Sequence, residues 1–194
     1  MANGPAYAEP MVRVLILFAS IDGQTERIAV RIRERLRQAR HSVILQSAGD
    51  APAPVGDCDA VLVGGAIRYG HYPRALESWV REQRADLEER PNAFFSVCLS
   101  AGGPGARPAV AQGYIDDFLG RTGWRPEATA SFAGALNYRQ YNPFIRFMMR
   151  HIVGAAGGDT DTSRDYEYTD WAAVDRFAAE FAWRLQKKRL AAAA

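Results

Sequence analysis

Three short stretches of this 194-residue sequence combine hydroxyls, glycines and flat rings in a way that suits a flat, phosphorylated ligand. The first is Ser20-Ile21-Asp22-Gly23-Gln24-Thr25, directly after an apolar run and directly before a helical pattern. Backbone N–H groups at a helix N-terminus, with the helix dipole behind them, form a site for an anion. The hydroxyls of Ser20 and Thr25 can donate to phosphate oxygens. The stretch lacks the lysine of a P-loop and the G-x-G-x-x-G spacing, which disfavours nucleoside triphosphates and dinucleotides. A capped turn with no ligand would use the same residue types; the place of this one, after the first buried strand, favours the ligand.

The second stretch is Gly64-Gly65-Ala66-Ile67-Arg68-Tyr69-Gly70-His71-Tyr72. Its glycines let backbone approach a ligand closely. Tyr69, His71 and Tyr72 offer flat faces for stacking on a ring, with local packing as the plain alternative. The third is Ser100-Ala101-Gly102-Gly103-Pro104-Gly105, small residues throughout. A flat ligand lying across three strand ends needs loops of this kind.

The elements around these loops put them on one edge. Val12–Ala19 is a short apolar run of the kind found in fully buried parallel strands. A helix follows over Gln24–Ala39, with Ile28, Ile32 and Leu36 on one face and six arginines from Arg27 to Arg40 on the rest. Ser42–Gln46, Ala60–Gly65, Ala93–Leu99 and Ala128–Leu136 read as four more strands. Helices are expected over Pro73–Leu87, Val110–Leu119 and Trp171–Leu185, the last capped by Thr169 or Asp170. Strand and helix alternate, which predicts an α/β fold: a doubly wound, five-stranded parallel sheet with helices on both faces. Ligands of such sheets bind beyond the carboxyl ends of the strands, where the three loops fall. Residues 137–168 do not fit the alternation. Within them Pro143–Val153 reads as an amphipathic helix carrying Arg146, Arg150 and His151, and unassigned stretches this long are usually functional.

Composition narrows the rest. A net charge of +2 from 24 basic and 22 acidic residues gives no reason to expect nucleic acid. The two cysteines, Cys58 and Cys98, have no metal-site or disulfide spacing, so reduced thiols in a cytoplasmic setting are expected, with no metal. Met1–Pro10 has no signal-peptide pattern and reads as a disordered leader before one domain over residues 11–190.

The three loops together resemble the flavodoxin family. Its T-x-T-G-x-T phosphate loop is matched by Ser20 at the first hydroxyl, Gly23 and Thr25, with Asp22 in place of the second hydroxyl. A carboxylate beside a phosphate repels it, so Asp22 is expected to cap the helix instead. The resemblance implies FMN, its phosphate at Ser20–Thr25 and its isoalloxazine between Ala66-Ile67-Arg68-Tyr69-Gly70 and Ser100-Ala101-Gly102.

More specifically, Asp22–Thr25, Ile67-Arg68-Tyr69-Gly70-His71-Tyr72, Gly134-Ala135-Leu136, Gly157–Thr162 and Tyr168–Trp171 resemble the bacterial quinone-dependent protoporphyrinogen IX oxidases. That family is a long-chain flavodoxin type with an insert in the same place. The resemblance implies oxidation of protoporphyrinogen IX in three two-electron steps, with FMN as acceptor and a membrane quinone as final oxidant. Arg68, Arg139 and Arg146 are then candidates for the two propionates. His71 is a candidate to move a proton near the flavin. The Pro143–Val153 helix could lie on a membrane surface, cover the flavin or contact a second copy. An electron-carrier flavodoxin, an NAD(P)H:quinone reductase and a flavin-free scaffold are the competing readings; the net positive charge speaks against the carrier.

Overall fold

The computed structural model describes residues 12–49 and 52–192, so the expectation of a leader over residues 1–10 lies outside the described residues. The first strand, β1 (Arg13–Ala19), is buried along all but its first residue. It pairs in parallel with β2 (Ser42–Ser47) and with β3 (Ala60–Ala66), in the registers Val14↔Val43 and Val14↔Ala60. β4 (Asn92–Cys98) follows β3, and β5 (Thr129–Ala133) closes the sheet in the order β2-β1-β3-β4-β5. This is the expected doubly wound sheet.

Side-chain alternation along β1 divides the core in two. Val14 and Ile16 meet Ile28, Ile32 and Leu36 of α1 (Gln24–Gln38) and Val174 and Phe181 of α6 (Trp171–Ala192). Leu15 and Leu17 face the opposite layer. There they join Leu76 and Val80 of α2 (Arg74–Glu82), Leu87 of α3 (Arg84–Glu88) and Phe118 of α4 (Pro108–Thr122). The arginines of α1 are not simply solvated. Arg31 donates to both Asp175 carboxylate oxygens of α6 at 2.8 Å, and Arg35 forms a second fork to the same group.

Three elements differ from expectation. The helix expected over Pro73–Leu87 breaks at Gln83, whose side-chain carbonyl accepts from the Val55 amide at 3.0 Å. α4 passes through Gly120 and stops only where Gly123 turns left-handed at φ 69°. The fifth strand splits at Gly134. That residue's N–H still bonds to Cys98 at 3.2 Å, but its carbonyl accepts from Tyr168 at 3.1 Å. The chain thus leaves the main sheet, and β6 (Ala135–Leu136) pairs antiparallel with β7 (Tyr166–Glu167).

Residues 137–168 therefore form a small annex on the sheet edge. Its helix α5 (Pro143–Ala155) is capped by Asn142, which accepts from the Ile145 amide at 2.9 Å. Val153, Leu136 and Tyr138 make a third, minor core under it. Asp170 caps α6, accepting from Ala173 at 3.0 Å, and Cys58 and Cys98 are buried free thiols.

Candidate functional site

The three loops do converge. A cavity of about 470 Å³ opens at the carboxyl ends of β1, β3 and β4, and its lining includes Ile21, Asp22, Gln24, Thr25, Ala66, Ile67, Arg68, Tyr69, Gly70 and Ser100. The annex supplies a further wall from Tyr141, Ile145, Met149, Ile152 and Val153.

The first loop is built to receive an anion. Gly23 stands at the N-cap of α1 with φ 86°, and no side chain caps the helix. The first amides of α1 are thus left for a ligand. Thr25 is buried and lines the cavity, and the Ser20 hydroxyl is shielded from solvent with no hydrogen-bond partner. A buried hydroxyl without a partner costs about 1–3 kcal/mol, a cost that an anionic ligand accepting from it removes. The Gln24 side chain points elsewhere: its amide donates to Glu167 at 3.2 Å and Thr169 at 2.8 Å, tying the loop to the annex.

Asp22 does not cap α1, contrary to expectation. Its carboxylate pairs with Arg68 at 2.8 Å. Its backbone carbonyl accepts from Asn137 at 2.9 Å, and its other carboxylate oxygen lies 3.5 Å from the Tyr141 hydroxyl. Burial, and secondarily the Asp22 charge, push the Tyr141 hydroxyl up to about 12. Asp22 thus ties the first loop to the second loop and to the annex, and Arg68 offsets its charge.

The second loop is a two-residue turn. Arg68 and His71 exchange backbone hydrogen bonds at 3.0 and 3.1 Å. Between them Tyr69 and Gly70 both take positive φ, 52° and 82°. Gly70 accepts that geometry freely; a tyrosine held there costs on the order of 1–3 kcal/mol. The turn presents the Tyr69 ring, 63% exposed, at the cavity. Such strain is characteristic of ligand-contacting residues.

The other flat residues of this loop are placed differently. Tyr72 is core, not a stacking platform: its hydroxyl donates to Ser96 at 2.7 Å and its ring packs against Phe118 at 4.8 Å. Gly64 and Gly65 serve that packing rather than a ligand. A Cβ on Gly64 would lie 2.0 Å from the Phe95 ring, and one on Gly65 2.6 Å from Tyr72. His71 is exposed and outside the cavity lining.

In the third loop Ser100 lines the cavity, while Ala101 and Gly102 stand behind it. A Cβ on Gly102 would come within 2.9 Å of the Ala133 Cβ. Of the candidate arginines, Arg139 is exposed on the annex and outside the lining. Arg146 is committed to structure, its Nε donating to the Tyr138 carbonyl at 2.9 Å and Nη2 to the Tyr141 carbonyl at 3.1 Å.

Among the cavity residues that had no place among the expected site residues are an arginine and three tyrosines. Tyr114 and Arg107 line it from α4 and its N-terminus, and Tyr141 and Tyr168 line it from the annex. Tyr168 donates to the Asp159 carboxylate at 2.5 Å, and burial with this bond holds its hydroxyl well above the usual tyrosine range. The sequence signal for the annex residues was the unassigned stretch itself. For α4 there was none, because the loop preceding it was read only for its glycines.

Fold and site define a flavodoxin-type α/β protein, and the chain matches the flavodoxin domain over residues 15–163. The oxidised flavodoxin 1 of Bacillus cereus shares the fold at 15% identity, with a TM-score of 0.52 over 87% of this chain and 96% of that one. The rubredoxin:oxygen oxidoreductase of Desulfovibrio gigas aligns over 92% of this chain but only 37% of its own, with a TM-score of 0.56. Among curated proteins, the protoporphyrinogen IX dehydrogenase [quinone] of Escherichia coli K12 is 37% identical over 180 residues, covering 92% of this chain and 99% of that one. A protein of the same name from Leishmania major is 37% identical over 173 residues, covering 88% and 74%. The chain belongs to this family of flavodoxin-type protoporphyrinogen IX dehydrogenases.

Proposed function

We propose that this chain binds FMN and oxidises protoporphyrinogen IX to protoporphyrin IX, with a quinone taking the electrons. The observation that carries the reading is a single cavity joining two unlike halves: an uncapped helix N-terminus with the buried Thr25 on one side, and an apolar wall from the annex on the other. The first half fits the phosphate of FMN, for which Ser20 and Thr25 supply hydroxyls and Gln24 and Thr25 backbone amides. The turn of Ile67 to Gly70, with the Tyr69 ring, fits the flat ring system, and Ser100 faces it from the third loop. When bound, FMN supplies the two-electron acceptor chemistry.

The chain's own residues orient and enclose. Ile145, Met149 and Val153 form a wall that keeps water from the reacting face and suits an apolar macrocycle. Arg68 holds its charge beside the ring, balanced by Asp22. His71, at the exposed end of the same turn, is the candidate to pass protons between the cavity and solvent. The test is a reductive half-reaction: FMN-loaded protein mixed anaerobically with protoporphyrinogen IX loses its yellow colour. Colour that persists with this substrate but bleaches with NADPH transfers the protein to the NAD(P)H:quinone reductases.

The quinone lies in a membrane, and α5 offers a surface for meeting it. Phe144 and Phe147 are 76% and 62% exposed on the helix whose inner side walls the cavity, with Arg150 and His151 beside them. Among the described residues no helix is long and apolar enough to cross a membrane, so the contact is peripheral in this reading. Co-sedimentation with anionic vesicles, lost in a Phe144→Ser, Phe147→Ser double variant, is the expected result. Recovery of the parent protein entirely in the supernatant contradicts it.

A further inference from the structure

Two arginines line the cavity, and they are in opposite electrostatic situations. Arg68 is paired with Asp22 at 2.8 Å. Arg107 is exposed and lines the cavity from the N-cap of α4, and its side chain has no ion pair or hydrogen bond among the described residues. Its backbone is fixed, with its N–H donating to the Ser100 carbonyl at 2.8 Å and Pro108 next in the chain. Arg107 is also misplaced for stability. It stands at the positive end of a 15-residue helix whose first turn holds no acidic residue. Cations are favoured at the other end of a helix, by about 0.3–1 kcal/mol. Arginine and helix dipole therefore add up to an uncompensated positive potential at the cavity mouth.

The position identifies what this charge meets. Gly105, two residues earlier, packs against the end of the annex helix: a Cβ there would lie 2.3 Å from the Ala156 carbonyl oxygen. One turn and two turns into α4, at positions i+4 and i+7 from Arg107, Ala111 is buried and Tyr114 lines the cavity, the latter near Gly70. Arg107 thus stands between the annex wall and the Tyr69–Gly70 turn, on the side of α4 rather than of the phosphate loop. An unpaired guanidinium beside a mainly apolar wall suits a flat apolar molecule that carries a carboxylate at its edge.

We propose that Arg107 is a specificity-determining residue that binds a propionate carboxylate of the porphyrinogen, selecting the diacid over neutral macrocycles. The assignment rests on the oxidase reading for the name of the substrate, and on the cavity alone for its chemistry. The test uses full-length, FMN-loaded protein and two probes, protoporphyrin IX and its dimethyl ester, with binding read by porphyrin fluorescence. The parent protein binds the diacid more tightly, and Arg107→Met removes about tenfold of that preference. Arg107→Lys restores part of it, and FMN affinity stays within about twofold in both variants.

Turnover of protoporphyrinogen IX gives the parallel result, a raised KM with kcat little changed. Equal binding of diacid and diester by the parent protein overturns the proposal. So does an equal loss for both probes in Arg107→Met, or a matching fall in FMN affinity, which would make Arg107 a cofactor ligand. Absent turnover with an Arg107-dependent diacid preference intact contradicts the oxidase reading and leaves the carboxylate site standing.

Discussion

At the scale of single residues, the site is a set of groups whose stability cost points to a ligand. Tyr69 is held at φ 52°, a backbone shape that favours glycine. Tyr69→Gly is expected to raise the melting temperature, relieving on the order of 1 kcal/mol, while weakening FMN binding about tenfold. Thermal unfolding and an FMN titration on one preparation check both halves; a variant that is both less stable and equally tight contradicts the role. His71 is outside the cavity lining, so the proposed proton transfer through it would have to pass by way of solvent. His71→Asn is expected to keep kcat within about threefold and alter mainly its pH profile. Some placements were legible beforehand because residue type decides them: Thr25 and Tyr69 line the cavity, as their place in the first and second loops led one to expect. Asp22, Arg146 and Tyr72 were not, because their partners, Arg68, Tyr138 with Tyr141, and Ser96, lie 46, 8 with 5, and 24 residues away in sequence.

At the scale of elements, the sheet was legible and its margins were not. The buried runs of β1, β3 and β4 carry their assignment in a nearly continuous apolar pattern, interrupted in β4 only by Asn92 and Ser96. The split of the fifth strand at Gly134 depends on Tyr168 arriving to take a carbonyl, a contact no local pattern encodes. The arginine-rich face of α1 likewise carries no local sign of its partner, yet Arg31 and Arg35 both grip Asp175, some 140 residues away. These forks hold the Asp175 carboxyl well below the usual carboxylate range. A depressed acid stabilises the fold above its unfolded pKa, about 3.9, and that contribution is lost as the pH falls through the folded value. Asp175→Asn is therefore expected to lose about 1 kcal/mol at neutral pH, and the gap from the parent is expected to close at pH below about 4. Denaturant unfolding at several pH values measures this. A gap that stays constant into acid contradicts the assignment to the ion pairs.

At the scale of the whole molecule, the annex adds a wall to the cavity at the sheet edge, which in the proposed reading encloses the substrate over the cofactor. Its inner side walls the cavity with Ile145, Met149 and Val153, and its outer side exposes Phe144 and Phe147. One helix therefore links the enclosed reaction site to the surface through which an apolar substrate and a quinone would arrive. Shortening residues 142–156 to a Gly-Ser linker is expected to leave the β2-β1-β3-β4-β5 sheet folded while abolishing turnover. Retained turnover would show that the annex is dispensable.

Steady-state porphyrin fluorescence under anaerobic conditions tests the reaction itself. FMN-loaded protein is given protoporphyrinogen IX with and without a soluble quinone, against a no-protein control. Fluorescence is expected to rise well above the control only when protein and quinone are both present. A yellow protein that leaves the rate at that of the control, with quinone and without, would contradict it.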